Sequence, residues 1–111
     1  INGGSIMYYG EGDNDFLNFQ EESVYEGYYK NGKRDGYGKF TMINGDIYEG
    51  EFRNDAYNGK GVYKWVNGLE YKGKFKDNKK EGFGILSSPI LGKMIGLWKN
   101  DQPLQVRFEN N

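Results

Sequence analysis

The sequence predicts an all-β fold: an elongated, single-layer antiparallel meander of repeated β-hairpins whose curved sheet carries a trough of aromatic residues and glycine. Three observations predict it. Gly27, Gly50, Gly73 and Gly96 recur at a constant 23-residue spacing, and so do Tyr29, Phe52, Phe75 and Trp98. A fixed period of this size marks an array in which each unit buries its apolar face against its neighbours. Within the units, as in "YEGEF", Tyr48, Gly50 and Phe52 alternate with Glu49, Glu51 and Arg53, the period of a half-buried strand. Finally, among 18 glycines, 10 tyrosines, 7 phenylalanines and 2 tryptophans, no segment combines ten or more residues of 3.6 periodicity with freedom from glycine, so no helix competes.

Taken in order, residues 1–24 hold five acids (Glu11, Asp13, Asp15, Glu21, Glu22) and no Lys or Arg. Within them "YYGEG" at Tyr8 to Gly12 resembles the end of a further unit, joined to the array by a long insertion. The chain opens on Ile1, as expected of a segment cut from a longer protein. The array proper runs over 25–102, as units 25–47, 48–70 and 71–93 and a partial unit 94–102. Each unit reads as two strands. The first carries Tyr25, Tyr48 or Tyr71, a row continued by Met94. The second carries the glycine pairs Gly36/Gly38, Gly59/Gly61 and Gly82/Gly84, followed by Phe40 or Tyr63 on the same face, while Tyr37, Lys39, Lys60 and Val62 point the other way. The polar segments "KNGKRD", "RNDAYN" and "KDNKKE" read as the hairpin loops, with Gly32, Asp55 and Asn78 at equivalent positions tolerant of positive φ. "NGD" at Asn44 and "NGL" at Asn67 connect one unit to the next. The third unit departs at "SSPILGKM", where Pro89 predicts a shorter or bent second strand. The fourth has Gln105 and Arg107 where the glycine pair belongs, so 103–111 reads as a C-terminal cap or tail.

The three copies "YEGYYKNGKRDGYGKF", "YEGEFRNDAYNGKGVY" and "YKGKFKDNKKEGFGIL" resemble MORN repeats, the membrane occupation and recognition nexus motif. The resemblance covers about 78 of the 111 residues, from Tyr25 to Gln102. It implies an elongated all-β rod of hairpins that acts as a scaffold or protein-docking module, often attached to other domains, with lipid binding as a further proposed role.

Catalysis is disfavoured by composition. The chain has no His and no Cys, and none of its serines stands in a Gly-x-Ser-x-Gly context. The Gly-x-Gly pairs lack the spacing of nucleotide loops, and "DNDFLNFQEE" lacks the turn glycine of a calcium loop, so no cofactor or metal is expected. Without cysteine there is no disulfide framework, and the default setting is cytoplasmic, at cytoskeletal or membrane-associated structures. Two surfaces remain. One is the aromatic groove of Tyr25, Tyr29, Phe40, Tyr48, Phe52, Tyr63, Tyr71, Phe75 and Trp98, floored by Gly27, Gly36, Gly38, Gly50, Gly59, Gly61, Gly73, Gly82, Gly84 and Gly96. A one-layer sheet cannot hide all those rings, and a large apolar patch rimmed by charge marks a partner-binding surface. The other is the basic third unit, where Lys72, Lys74 and Lys76 share a strand face beside Lys79 and Lys80. Together with the repeating row Lys30, Arg53, Lys76 and Lys99, it suits an anionic phospholipid or phosphoinositide surface. The leading expectation is a non-enzymatic scaffold that seats a peptide segment or helix in the groove, with peripheral membrane binding as the alternative. Nucleic acid is excluded because the aromatics alternate away from the lysines. Homodimers through the ends of the array are a further expectation.

Overall fold

Two-residue turns build the sheet. Asn31 and Gly32, Asn54 and Asp55, Asp77 and Asn78, and Asn100 and Asp101 all take positive φ in succession, the backbone path of a type I′ turn that matches the right-handed twist of the strands it joins. In a computed structural model, which describes residues 2–10 and 22–111, these turns and the inter-unit loops link nine antiparallel strands. They are β1 (Asn2–Gly10), β2 (Glu22–Lys30), β3 (Lys33–Thr41), β4 (Ile47–Arg53), β5 (Ala56–Lys64), β6 (Glu70–Lys76), β7 (Lys79–Ser88), β8 (Gly92–Lys99) and β9 (Gln102–Glu109). They pair strictly in chain order as one open, uncurled meander, with no helix among the described residues. The radius of gyration, 15.4 Å, exceeds the roughly 13 Å of a compact globule of this length, and the extents of 45 × 36 × 18 Å are those of a slab.

Glycine sets the middle of the slab. Gly27, Gly38, Gly50, Gly61, Gly73, Gly84 and Gly96 lie directly opposite one another from β2 to β8, an unbroken line across seven strands. The reason is close approach. A Cβ on Gly61 would stand 2.3 Å from the Tyr48 hydroxyl and 2.5 Å from its ring carbon Cζ, so the tyrosine can lie flat on the backbone only because the side chain is missing.

Four expectations change. The hairpin loops are two residues long, not six, because the positive-φ pair closes the chain at once; Arg34, Tyr57 and Lys80 therefore become strand residues, opposite Tyr29, Phe52 and Phe75. Gly36, Gly59 and Gly82 do not lie with the second glycine of each pair. Their φ values of 97, 101 and 89° form a bulge, and a Cβ there would meet Tyr28, Glu51 or Lys74 on the opposite face. Strand β7 is not shortened by Pro89 but is the longest, at ten residues; the proline falls just beyond it, where Ser88 Oγ accepts the N–H groups of Ile90 and Leu91. The last unit pairs Gly96 with Val106, not with Arg107 as the repeat period implies, so an apolar side chain faces inward. The segment 102–109 thus continues the sheet as a ninth strand.

At the other end β1 precedes the first full unit and places Ser5, not a glycine, opposite Gly27. Of the expected half-unit, Glu11 and Gly12 lie outside the described residues, as does most of the acidic insertion with its calcium-loop resemblance.

Candidate functional site

One face of the sheet carries the rings. Tyr25, Tyr48 and Tyr71 are fully buried, and Phe52, Phe75 and Trp98 nearly so. They form a zigzag of edge-to-face contacts, with centroid separations of 5.2 Å for Tyr25–Phe52, 5.0 Å for Phe52–Tyr48, 5.2 Å for Tyr48–Phe75, 5.1 Å for Phe75–Tyr71 and 5.6 Å for Tyr71–Trp98. Such geometry places the positive edge of one ring on the negative face of the next, adding about 0.5–1.5 kcal/mol per pair to burial. Six of the nine groove residues therefore fill the trough with their own rings. The remaining three, Tyr29, Phe40 and Tyr63, are half-buried.

The tyrosine hydroxyls explain why this row is not phenylalanine. Tyr25 donates to the carbonyl of Tyr28, Tyr48 to that of Glu51 at 2.7 Å and Tyr71 to that of Lys74 at 3.1 Å. Each bond satisfies a backbone acceptor at the strand position where the bulge interrupts the ladder. Burial pushes the Tyr48 phenol well above its ordinary value and, with the Asp101 charge, pushes that of Tyr71 up to about 12.

Several residues of this face escaped sequence reasoning. Tyr57 stacks on Tyr48 with centroids 3.9 Å apart. Trp65 leans on Tyr63 at 4.5 Å, and the Arg34 guanidinium sits 4.7 Å from the Phe40 centroid and 5.0 Å from that of Phe52. Lys80 holds its ammonium 5.8 Å from Tyr71 and 5.7 Å from Trp98. Their signal was present, since Arg34, Tyr57 and Lys80 share the 23-residue period; six-residue loops concealed it.

These same residues lock neighbouring hairpins. Asp55 Oδ1 accepts from the Arg34 backbone N–H at 2.9 Å and from its Nε at 2.8 Å, and Arg34 Nη2 reaches the Asp55 carbonyl at 2.7 Å. Burial alone would raise the Asp55 carboxyl, but the Arg34 hydrogen bonds and charge outweigh it and hold the group below the usual range. Asn78 accepts from the Tyr57 N–H, and Asp101 from the Lys80 N–H and Nζ. In the connection between β3 and β4, Asp46 is buried and accepts from the Tyr63 hydroxyl at 2.8 Å and the Val66 N–H at 3.0 Å.

The opposite face mixes charged and apolar side chains. Lys72, Lys74, Lys76 and Lys79 are exposed, the first three along β6. Lys80 departs from that patch: opposite Phe75 in the ladder, it lies on the ring face. Beside the lysines stand the exposed Tyr37, Phe83 and Leu97, and a shallow hollow of about 380 Å³ is lined by Tyr37, Lys60, Val62, Lys72, Lys74 and Phe83. Aromatic and basic side chains therefore do share this face, which the alternation of the main ring rows alone did not reveal.

Among the described residues no group of His, Cys, Asp and Glu could hold a metal ion, and no helix is long and apolar enough to cross a membrane. The family model of the MORN repeat matches residues 25–47, 48–70 and 71–90. No curated protein matches the chain.

Proposed function

We propose, from the premise that the chain belongs to the MORN repeat family, that it is a non-enzymatic docking module whose ring face seats a segment of a partner protein. MORN repeats are non-enzymatic modules generally associated with protein or membrane binding, and the finer reading is chosen from the geometry. One observation carries it: a single sheet layer leaves Phe40, Tyr57, Tyr63 and Trp65 half-buried beside a rigid floor of packed rings, with no second layer over them among the described residues. Partly exposed aromatics on a preorganised base are the anchors that dominate protein interfaces. The buried six position this rim and do not themselves face a partner. As a scaffold the module belongs in the cytoplasm at cytoskeletal or membrane structures, and the open edges β1 and β9 leave room for pairing of two arrays end to end.

A second reading, docking on an anionic phospholipid surface, is favoured by one feature of the other face: Lys72, Lys74 and Lys76 project beside the exposed Phe83 and Leu97. The two readings are separated by comparing Phe40→Ser with Tyr63→Ser on one side and the triple charge reversal of Lys72, Lys74 and Lys76 to Glu on the other. Partner capture from the native cell is expected to drop at least tenfold in the first pair, once circular dichroism shows them folded, and to survive charge reversal. Firm, salt-sensitive binding of the wild type to phosphatidylserine vesicles, lost only in the lysine variant, would replace docking with the membrane reading.

A further inference from the structure

The face opposite the rings holds, on β5 and β6, three lysines whose charge no acid matches. Lys60 and Lys74 stand directly opposite each other in the ladder, and Lys72 faces Val62 on one side and Ile85 on the other. All three are exposed. Among the described residues none makes an ion pair; the neighbouring Glu51 carboxylate accepts from the Lys60 backbone N–H at 3.3 Å, not from its ammonium. Like charges directly opposite on paired strands destabilise a sheet, so this positive cluster costs stability until an anion meets it.

Rings bracket the cluster. Tyr37 on β3 and Phe83 on β7 are 54% and 55% exposed, and both line the hollow of about 380 Å³ over the lysines. Their strands are four places apart in the sheet, about 19 Å at the usual strand spacing. The order across the face is therefore ring, ammoniums, ring. Glu49 lines the same hollow; its Oε2 accepts from the Tyr37 hydroxyl at 3.0 Å, and its Oε1 has no partner among the described residues. The floor is the backbone of Gly50, Gly61 and Gly73, paired on both sides in the ladder, so it offers no edge to which a peptide strand could add.

We propose that this face binds single-stranded nucleic acid: bases stack on Phe83 and Tyr37, phosphates meet Lys60, Lys72 and Lys74, and Glu49 accepts from the exocyclic amine of cytosine. Aromatics on a sheet face are a known platform for stacking two or three bases, stacking beside backbone cations is the general device for single strands, and a carboxylate suits the cytosine amine. An anionic lipid surface would use the lysines and leave Tyr37 and Glu49 without a task. The main ring rows argued against nucleic acid because they alternate away from the lysines; Tyr37 and Phe83 lie outside those rows. This function goes beyond the docking reading and uses the other face of the sheet.

The probe is a fluorescein-labelled deoxycytidine octamer titrated with the whole chain and followed by fluorescence anisotropy. Saturable binding is expected in low salt with a dissociation constant on the order of 10 µM, and a slope of log affinity on log salt of about −2, as three phosphate contacts to a single strand imply. Lys60→Gln with Lys74→Gln is expected to flatten that slope to about −0.7 and, by removing the opposed charges, to raise the melting temperature. Phe83→Ala, at an exposed position, is expected to weaken binding about tenfold with the slope unchanged. A thymidine octamer, which lacks the amine, is expected to bind about fivefold more weakly, and Glu49→Gln to erase the difference. Anisotropy that never saturates, or binding indifferent to both Phe83→Ala and Tyr37→Ala in folded protein, overturns the site. A cytosine preference that persists in Glu49→Gln overturns the role of that carboxylate. Firm binding to phosphatidylserine vesicles with none to the octamer gives the face to a membrane and overturns the proposal as well. Octamer binding is expected unchanged in Phe40→Ser and Tyr63→Ser, so the docking reading stands or falls by its own test.

Discussion

The hairpins β2–β3, β4–β5 and β6–β7 and the hairpin β8–β9 start alike and end differently. In the first three, one residue of the leading strand (Tyr28, Glu51 or Lys74) faces three of the returning strand, and the middle one is Gly36, Gly59 or Gly82 at positive φ. In the last, only Leu104 is extra, between the pairs Trp98↔Pro103 and Leu97↔Gln105. The larger bulge keeps the repeat in phase and brings a glycine back under each buried tyrosine. Without the bulge glycine the strand slides by one residue, and Val106 rather than Arg107 comes to lie opposite Gly96. The difference teaches that the spaced glycines have separate tasks. One holds register through backbone conformation, and the other makes room for a ring.

The largest expected contrast is in the glycine line. A Cβ on Gly50 would lie 2.4 Å from the Gly61 Cα and 2.6 Å from the Lys60 carbonyl oxygen, both backbone atoms that cannot step aside. Gly50→Val should therefore cost about 3 kcal/mol or more in urea unfolding. Glu51→Val, on the exposed face, and Val106→Ala, in the half-buried counterpart position of the last hairpin, should each cost about 1 kcal/mol. Equal losses for Gly50→Val and Val106→Ala would erase the distinction between the two regions.

The turn clamps give the next contrast. Asp55 holds Arg34 through a backbone and a side-chain bond and receives a third at its carbonyl, whereas Asp101 holds Lys80 through one bond of 2.8 Å and one of 3.3 Å. Removing Asp55 should cost about 2 kcal/mol and removing Asp101 about 1 kcal/mol. The Asp55 carboxyl is held below its ordinary value, so its contribution is present above the unfolded-state pKa and lost as pH falls through the lower folded one. The gap in melting temperature between wild type and Asp55→Ala should close below about pH 4. A gap that stays constant down to pH 2 would show that the ionised carboxylate is not what holds the clamp.

The smallest contrast concerns Tyr71 against Met94, its counterpart one unit on. At neutral pH Tyr71→Phe should cost about 1 kcal/mol through loss of the bond to the Lys74 carbonyl. Because the folded phenol is pushed up to about 12, its stabilisation is complete below the unfolded value near 10 and disappears as pH rises through the folded one. Wild-type stability should fall between about pH 10 and pH 12, less steeply in Tyr71→Phe, as followed by thermal melts. Identical slopes would place the alkaline loss elsewhere, in the buried Tyr48 phenol.

The fold was legible because a 23-residue period and a strand alternation are local properties of the chain. Each row of tyrosine, glycine and aromatic residues needs only its neighbours to form a sheet, and the Asn and Asp residues of the turns carry their own preference for positive φ. The candidate site was legible only in part. The rings were identifiable, but whether a ring closes on its neighbours or faces a partner depends on distances across strands that no single repeat contains, and so Tyr48 is buried while Phe40 and Tyr63 remain half-buried.

By itself, then, the sequence determined the repeat, the all-β meander, the turn positions and the MORN kinship, since all of these follow from residue type and spacing. Tertiary structure decided the rest. The two-residue turns moved Arg34, Tyr57 and Lys80 from loops onto the ring face, and the bulges carried Gly36, Gly59 and Gly82 away from it. A one-residue slip in β9 chose Val106 over Arg107. In a sheet, a shift of one residue exchanges the two faces, so small differences in backbone conformation at a turn or bulge determine which side chains meet.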